Sequence, residues 1–282
     1  MKHISVNIQK TAQEELFTAC NKIALESYTE GIGMEFFTEN FQIVATNIEK
    51  VFDNSFDLIK NLSVTKFLKN YTFESQVSKI NYAAIDQIKI TIPEGFTGNA
   101  KEYCQELIKQ VSHVSTITTQ VILPFNQYIS SLISDKDFAK AYKSKPVYLH
   151  DRDAKREEMN KTISKYFGHG TLSSGKLSQH YHSGVEVAET DILVGELSDS
   201  LGTTDVVSIR KMVTDSVDLI NALQDLVSKN QITNLSDSQK RLLAEMCTTI
   251  AREIEFYAIT RYRADSFINT FAKTKEAVKK IL

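Results

Sequence analysis

The chain has 282 residues, of which 42% are apolar and 24% are charged, values that are ordinary for a globular protein with a sizeable core. Its net charge of -2 excludes the general basic surplus that attracts proteins to nucleic acid without specificity. Only 3 prolines and 10 glycines interrupt the chain, a scarcity that favours long helices.

The first half of the chain is predicted to be mostly helical. The capping-box sequence TAQE, which starts at Thr11, predicts a helix to about residue 28, and a second helix is predicted over about 36–70. A third is predicted from near Asn99 to about residue 134. Pro124 lies inside it and has no amide hydrogen, so a kink is expected near residues 120–124.

Three further helices are predicted in the second half. They cover about 151–167, about 204–229, and the stretch from Ser236 to the C-terminus. The last has an apolar stripe with steps of three and four residues, which includes Met246 and Phe271. Such a stripe predicts a helix with one buried side.

Three stretches alternate between apolar and polar residues and predict strands. They are His3–Ile8, Gln87–Ile92 and, in part, Val185–Leu197. Together they predict a small sheet beside the helices.

These elements predict a mainly α protein: an elongated bundle of about five or six helices with a small β element. Residues 1–134 are predicted to hold the N-terminal helices and a short β segment near 86–95. Residues 135–203 are predicted to be an irregular connecting segment with one helix. Residues 204–282 are predicted to form a helical hairpin that packs on the N-terminal helices.

The stretch GHGTLSSGKLSQHYHSG, residues 168–184, contains the spacing of a phosphate-binding loop at Gly170, Gly175 and Lys176. A true phosphate-binding loop follows a buried strand, opens a helix, and has Ser or Thr after the lysine. Here a helical pattern precedes the motif and Leu177 follows the lysine. The stretch is therefore interpreted as a flexible connector between helices.

The same stretch contains His169, His180 and His182. Two histidines that alternate on a strand could bind a transition metal on one face, but a structural zinc site normally needs four ligands and no cysteine is nearby. These histidines are predicted to be loop or interface residues, and no metal is predicted.

No catalytic or cofactor-binding residue is predicted. The sequence contains no Glu-x-x-His, which excludes the ferritin-like di-metal bundle, and no Gly-x-Ser-x-Gly elbow. The start of the chain lacks the apolar core of a signal peptide. The widely spaced Cys20, Cys104 and Cys247 are accordingly predicted to be reduced and buried. The chain is predicted not to be an enzyme.

The last helix has interleaved arginine and tyrosine residues, a combination that is enriched at protein interfaces. The weak candidates for interface residues are Arg252, Arg261, Tyr262, Arg263, His180 and His182. The other interpretations of the last helix are a solvated face and contact with nucleic acid.

The whole chain resembles, in style, the virion proteins of large tailed bacteriophages. The resemblance lies in Lys/Asn/Ile/Ser-rich helices such as NIEKVFDNSFDLIKNL and VTDSVDLINALQDLVSKNQITNLSDSQKRLLAEM, in the absence of Trp, and in the lack of a catalytic signature. It implies a non-enzymatic subunit of a phage head, neck, tail or baseplate, or an internal head protein. Its partners would be other protein subunits in a homo- or hetero-oligomeric assembly in the virion, built in the host cytoplasm.

Two alternatives stay open. One is an intracellular enzyme or ligand-binding helical bundle, which predicts a closed pocket with converging polar groups and a perturbed titratable residue. The other is a nucleic-acid-associated helical protein, which predicts that the Arg and Lys residues of the last helix gather into one basic strip.

Overall fold

The computed structural model describes residues 71–93, 95–135, 149–167, 174–202, 206–229, 231 and 237–282. The helices predicted over 11–28 and 36–70, the strand predicted over His3–Ile8, and Cys20 lie outside these residues. The described part is mostly helical with one small sheet, which confirms the predicted mainly α fold with a small β element. No helix in it is long and apolar enough to span a membrane.

The elements follow one another along the chain. The helices are α1 Tyr71–Val77, α2 Tyr82–Gln87, α3 Ala100–Val114, α4 Leu123–Asp135, α5 Leu149–Ser164, α6 Gly184–Gly202, α7 Val206–Ser228 and α8 Asp237–Lys279. The strands are β1 Lys89–Thr91 and β2 Ser174–Lys176. A π-helical turn, Thr118–Ile122, precedes α4, and a short 3-10 turn, Leu177–Gln179, follows β2.

The predicted third helix is present, but in two parts. Asn99 caps α3, because its side chain accepts a hydrogen bond from the Glu102 amide at 3.1 Å. Pro124 lies in the first turn of α4, and the π-helical turn directly before it ends with a bond from the Leu123 amide to the Thr118 carbonyl. The chain thus accommodates the missing proline amide hydrogen by widening the turn in front of it.

The strand predicted over Val185–Leu197 is wrong, because these residues lie in α6. The helix is buried at Val187, Thr190, Asp191, Val194 and Leu197, at helical steps of three and four residues. Both α5 and α6 lie in 135–203, where one helix was predicted.

The sheet has two antiparallel strands, in which Lys89 pairs with Lys176, Ile90 with Gly175, and Thr91 with Ser174. The strand predicted over Gln87–Ile92 is therefore confirmed as β1. Its partner β2 comes from the stretch interpreted as a flexible connector, an interpretation that is wrong for residues 174–179. Lys176 binds Asp86 at 2.9 Å.

The chain divides into two compact units, each built from several segments. Unit 1 comprises 1–59, 116–153 and 205–258, and unit 2 comprises 60–115, 154–204 and 259–282. In unit 1, α4 packs against α7, where the Ser216 hydroxyl donates to Asn126 Oδ1 at 2.7 Å. In unit 2, α6 packs against α1 and α3, and the core includes Phe73, Leu107, Val194 and Phe271.

The last helix, α8, is 43 residues long and contributes to both units. Its predicted apolar stripe is confirmed at eight positions where the side chain is buried: Met246, Ile250, Ile254, Tyr257, Ala264, Ile268, Phe271 and Val278.

Candidate functional site

The predicted interface residues of the last helix differ in how far their side chains are buried. Tyr262 is 43% exposed, whereas Arg261 is buried in unit 2. Arg261 Nε donates to Asp265 Oδ2 at 2.9 Å, and its Nη1 donates to the Leu201 carbonyl at 2.8 Å. The guanidinium of Arg261 therefore joins the end of α6 to α8.

Arg252 and Arg263 have partly exposed side chains. Burial lowers the pKa of Arg263, since a charged guanidinium is less stable away from water, and the nearby Tyr103 acts in the opposite direction. The three arginines thus have different surroundings. Whether they contact a partner stays a prediction.

His180 and His182 are not placed on one face of a strand. His180 is buried, its Nδ1 lies 3.0 Å from the Gly98 carbonyl oxygen, and its own carbonyl accepts a hydrogen bond from the Ala100 amide at 3.0 Å. His182 is exposed, and its backbone amide donates to Glu186 Oε2 at 2.7 Å. His180 therefore anchors the segment after β2 to the start of α3.

An aromatic cluster surrounds His180 and the start of α3. Phe96 lies 5.3 Å from the His180 ring and 5.1 Å from the Tyr103 ring, and Tyr103 also contacts Phe267 of α8 edge-on at 5.3 Å. Such tilted and edge-on arrangements are the favourable ones for aromatic rings. Beside the cluster, burial raises the pKa of the Cys104 thiol, so this cysteine is a neutral core residue, as predicted.

Sequence reasoning missed a buried ion pair between α6 and α8. Lys275 Nζ lies 2.7 and 2.8 Å from the two carboxylate oxygens of Asp191, and the two side chains are 7% and 0% exposed. The same Nζ lies 4.9 Å from the centre of the Phe73 ring, within the range of a cation–π contact. Burial raises the pKa of Asp191, against the opposing effect of Lys275, and Glu74 of α1 raises it further.

A second buried ion pair lies in unit 1. Arg152 donates to Glu253 Oε2 from Nε at 3.2 Å and from Nη2 at 2.8 Å. Arg152 Nη1 also donates to Thr116 Oγ1 at 3.0 Å and to Gln120 Oε1 at 2.7 Å, beside and within the π-helical turn. One arginine thus holds α8, α5 and the region of the π-helical turn together.

The two buried pairs have one property in common: each links segments that are far apart in sequence through groups of opposite charge. Breaking such a pair is costly because it leaves one charge buried without compensation. The described residues contain no group of three or more His, Cys, Asp or Glu side chains placed to hold a metal ion. The two buried ion pairs fix helices to each other.

No protein-family model matches the chain, and no curated protein or solved structure is significantly similar to it. Any function must therefore be argued from the residues themselves.

Proposed function

We propose that the protein is a non-enzymatic structural subunit of a tailed bacteriophage particle, where it packs against copies of itself or against other protein subunits. The phage context comes from the resemblance of its sequence to virion proteins. The subunit role comes from the described helices.

The observation that carries the proposal is the construction of α8. The helix has 43 residues, a contour of about 64 Å at 1.5 Å per residue. One side of the helix is buried, at heptad-like steps. On that side Glu253 forms a buried ion pair with Arg152, and Lys275 forms one with Asp191. Exposed residues of the last part of the helix, among them Tyr262, Lys273 and Glu276, are available for contact with other chains.

Exposed apolar side chains on the described helices give further support. Val185 and Ile192 of α6 are 48% and 41% exposed, and Tyr262 of α8 is 43% exposed. Single exposed apolar residues are common, but tyrosine and aliphatic residues on helix faces are also what subunit contacts use.

The test is mass spectrometry of purified particles from the phage that encodes the chain, together with light scattering on the isolated protein. We expect peptides of the chain in the particles at a defined copy number. Particles that assemble and infect without the chain would refute the structural role.

A ligand-binding or catalytic helical bundle is the second candidate, and one observation favours it. Asp191 is a buried carboxyl whose pKa is raised, with a lysine and a second carboxyl, Glu74, as neighbours, and perturbed acids of this kind cluster at functional sites. The test is a thermal-shift screen of wild-type protein and an Asp191→Asn variant against small metabolites. A ligand that stabilises only the wild type would favour this candidate over the structural one.

A further inference from the structure

Two helix strips in unit 2 carry exposed and partly exposed side chains of complementary character. The α6 strip lies on one side of α6 at steps of three and four residues; its members are Val185, Glu189, Ile192, Glu196 and Asp199. The α8 strip lies on the outer side of the last part of α8; its members are Tyr262, Ser266, Asn269, Lys273 and Glu276, and Lys280 follows directly after the helix.

The α6 strip is acidic and partly apolar. α6 contains five carboxylates and no Lys, Arg or His. Within the described residues, Asp191 is neutralised by Lys275 and Glu189 by Lys101, at 2.6 Å, whereas Glu196 and Asp199 are exposed and form no ion pair. Two negative charges and two half-exposed aliphatic side chains are therefore presented together.

The α8 strip is basic and has an aromatic residue at its start. Lys279 binds Glu276 at 3.2 Å, which neutralises that carboxylate. Lys273 and Lys280 are exposed and form no ion pair within the described residues. Two positive charges thus match the two negative charges of the α6 strip.

The spacing of the two strips also matches. Tyr262 and Lys273 are 11 residues apart, and so are Val185 and Glu196. Eleven residues bring a helix back to nearly the same face after about 16 Å. Two parallel helices can therefore place Tyr262 on the aliphatic end of the α6 strip while Lys273 reaches Glu196 or Asp199.

We propose that the α6 strip of one copy of the chain binds the α8 strip of a second copy. The proposal rests on the proposed structural role and specifies one contact for it: self-association through apolar contact with Tyr262 and through Lys–carboxylate pairs. Because different surfaces meet, repeated contacts of this kind build rings or filaments. Exposed charge pairs are screened by ions, so the association weakens as the salt concentration rises.

A charge swap in the full chain tests the contact. In the first variant, Glu196→Lys and Asp199→Lys make the α6 strip basic; in the second, Lys273→Glu and Lys280→Glu make the α8 strip acidic. Each variant alone is expected to have a dissociation constant raised by about tenfold or more, since like charges then face each other. An equal mixture of the two variants restores association, because each reversed strip finds its complement in the other variant.

Size-exclusion chromatography with light scattering measures the mass of each protein over a range of concentrations, and circular dichroism checks that the variants fold. The matched control is Asp215→Lys with Asp218→Lys on α7, two exposed acids with the same spacing, and it leaves the mass unchanged. A monomeric wild type, reversed variants that still associate, or a mixture that stays monomeric each overturns the contact. A monomer that is nevertheless found in particles refutes this contact but not the structural role.

Discussion

Replacing Lys275 by methionine tests the buried ion pair of unit 2 directly. Methionine keeps much of the apolar stem of the lysine but has no charge, so Asp191 loses both hydrogen bonds from Nζ while its own side chain stays 0% exposed. Removing one partner of a buried pair costs about 3–5 kcal/mol, since the other charge is left uncompensated. We expect the free energy of unfolding to fall by that amount.

The fall in the free energy of unfolding caused by Lys275→Met depends on pH, because Asp191 is titratable. Its pKa is raised above the ordinary value of 3.8 by burial, so the folded protein holds a proton at Asp191 more readily than the unfolded chain does. The stabilisation that the Asp191 carboxyl contributes is therefore complete below pH 3.8 and is lost as the pH rises through its higher pKa in the folded protein. Without Lys275 the pKa of Asp191 rises further, so the destabilisation caused by Lys275→Met grows as the pH rises above the ordinary value of 3.8.

The assay is urea unfolding followed by circular dichroism, at about pH 4 and at about pH 7. Hydrogen-exchange mass spectrometry of residues 184–202 and 259–282 assigns the change in stability to unit 2. Lys155→Met, on an exposed position of α5, is the control and is expected to stay within about 0.5 kcal/mol of wild type. Combining Lys275→Met with Asp191→Leu is expected to restore stability or exceed it by about 1–4 kcal/mol. A Lys275→Met protein as stable as wild type near neutral pH would refute the reasoning.

Three further outcomes are expected. Arg152→Met removes the two hydrogen bonds and the positive charge that Arg152 provides to the buried Glu253, and it lowers the free energy of unfolding of unit 1 by about 3–5 kcal/mol, measured by urea denaturation. Gly184→Ala places a Cβ in steric clash with the Val77 carbonyl oxygen, and the required backbone shift lowers stability by about 1–3 kcal/mol, measured by thermal unfolding. Cys104 has a thiol pKa raised by burial, so iodoacetamide labels it in urea but not in native buffer, as measured by peptide mass spectrometry.

Matched controls accompany these three measurements. Lys211→Met removes an exposed cation of α7 and is expected to leave unit 1 unchanged. Gly175→Ala meets the end of the Gln179 side chain at 2.7 Å, which can move aside, so it is expected to cost less than Gly184→Ala. Equal losses for the two glycine variants would contradict the clash argument, and native labelling of Cys104 would contradict its burial.

The helices with one apolar side were predictable from the sequence, and α6, whose apolar residues lie around most of its circumference, was not. The prediction over 204–229 agrees with α7 at Val206–Ser228, because its apolar residues recur at steps of three and four. α6 has apolar residues around most of its circumference, so the helical period is weak, and the local alternation of Val185-Glu-Val187 looks like a strand. Pro124, by contrast, predicted a kink near residues 120–124, and the structure has a π-helical turn at Thr118–Ile122, because proline has no amide hydrogen to donate.

The buried pairs could not be predicted because their partners are far apart in the chain. Lys275 and Asp191 are 84 residues apart, and Arg152 and Glu253 are 101 apart, so no local pattern connects them. One signal was present in the sequence: charged residues such as Glu253 and Lys275 occur on the side of the last helix that its apolar stripe predicts to be buried. A charge at such a position indicates a partner of opposite sign elsewhere in the fold.

The segments of the two units alternate along the chain, and this determines when each unit can fold during synthesis. Unit 2 draws on residues 60–115, 154–204 and 259–282, so its core is completed only when the last of these segments leaves the ribosome. Phe267, Ile268 and Phe271 belong to that segment and fill the core of unit 2. Until they arrive, the apolar faces of α3 and α6 lack part of their cover, and we expect the incomplete chain to be more prone to aggregation than the finished one.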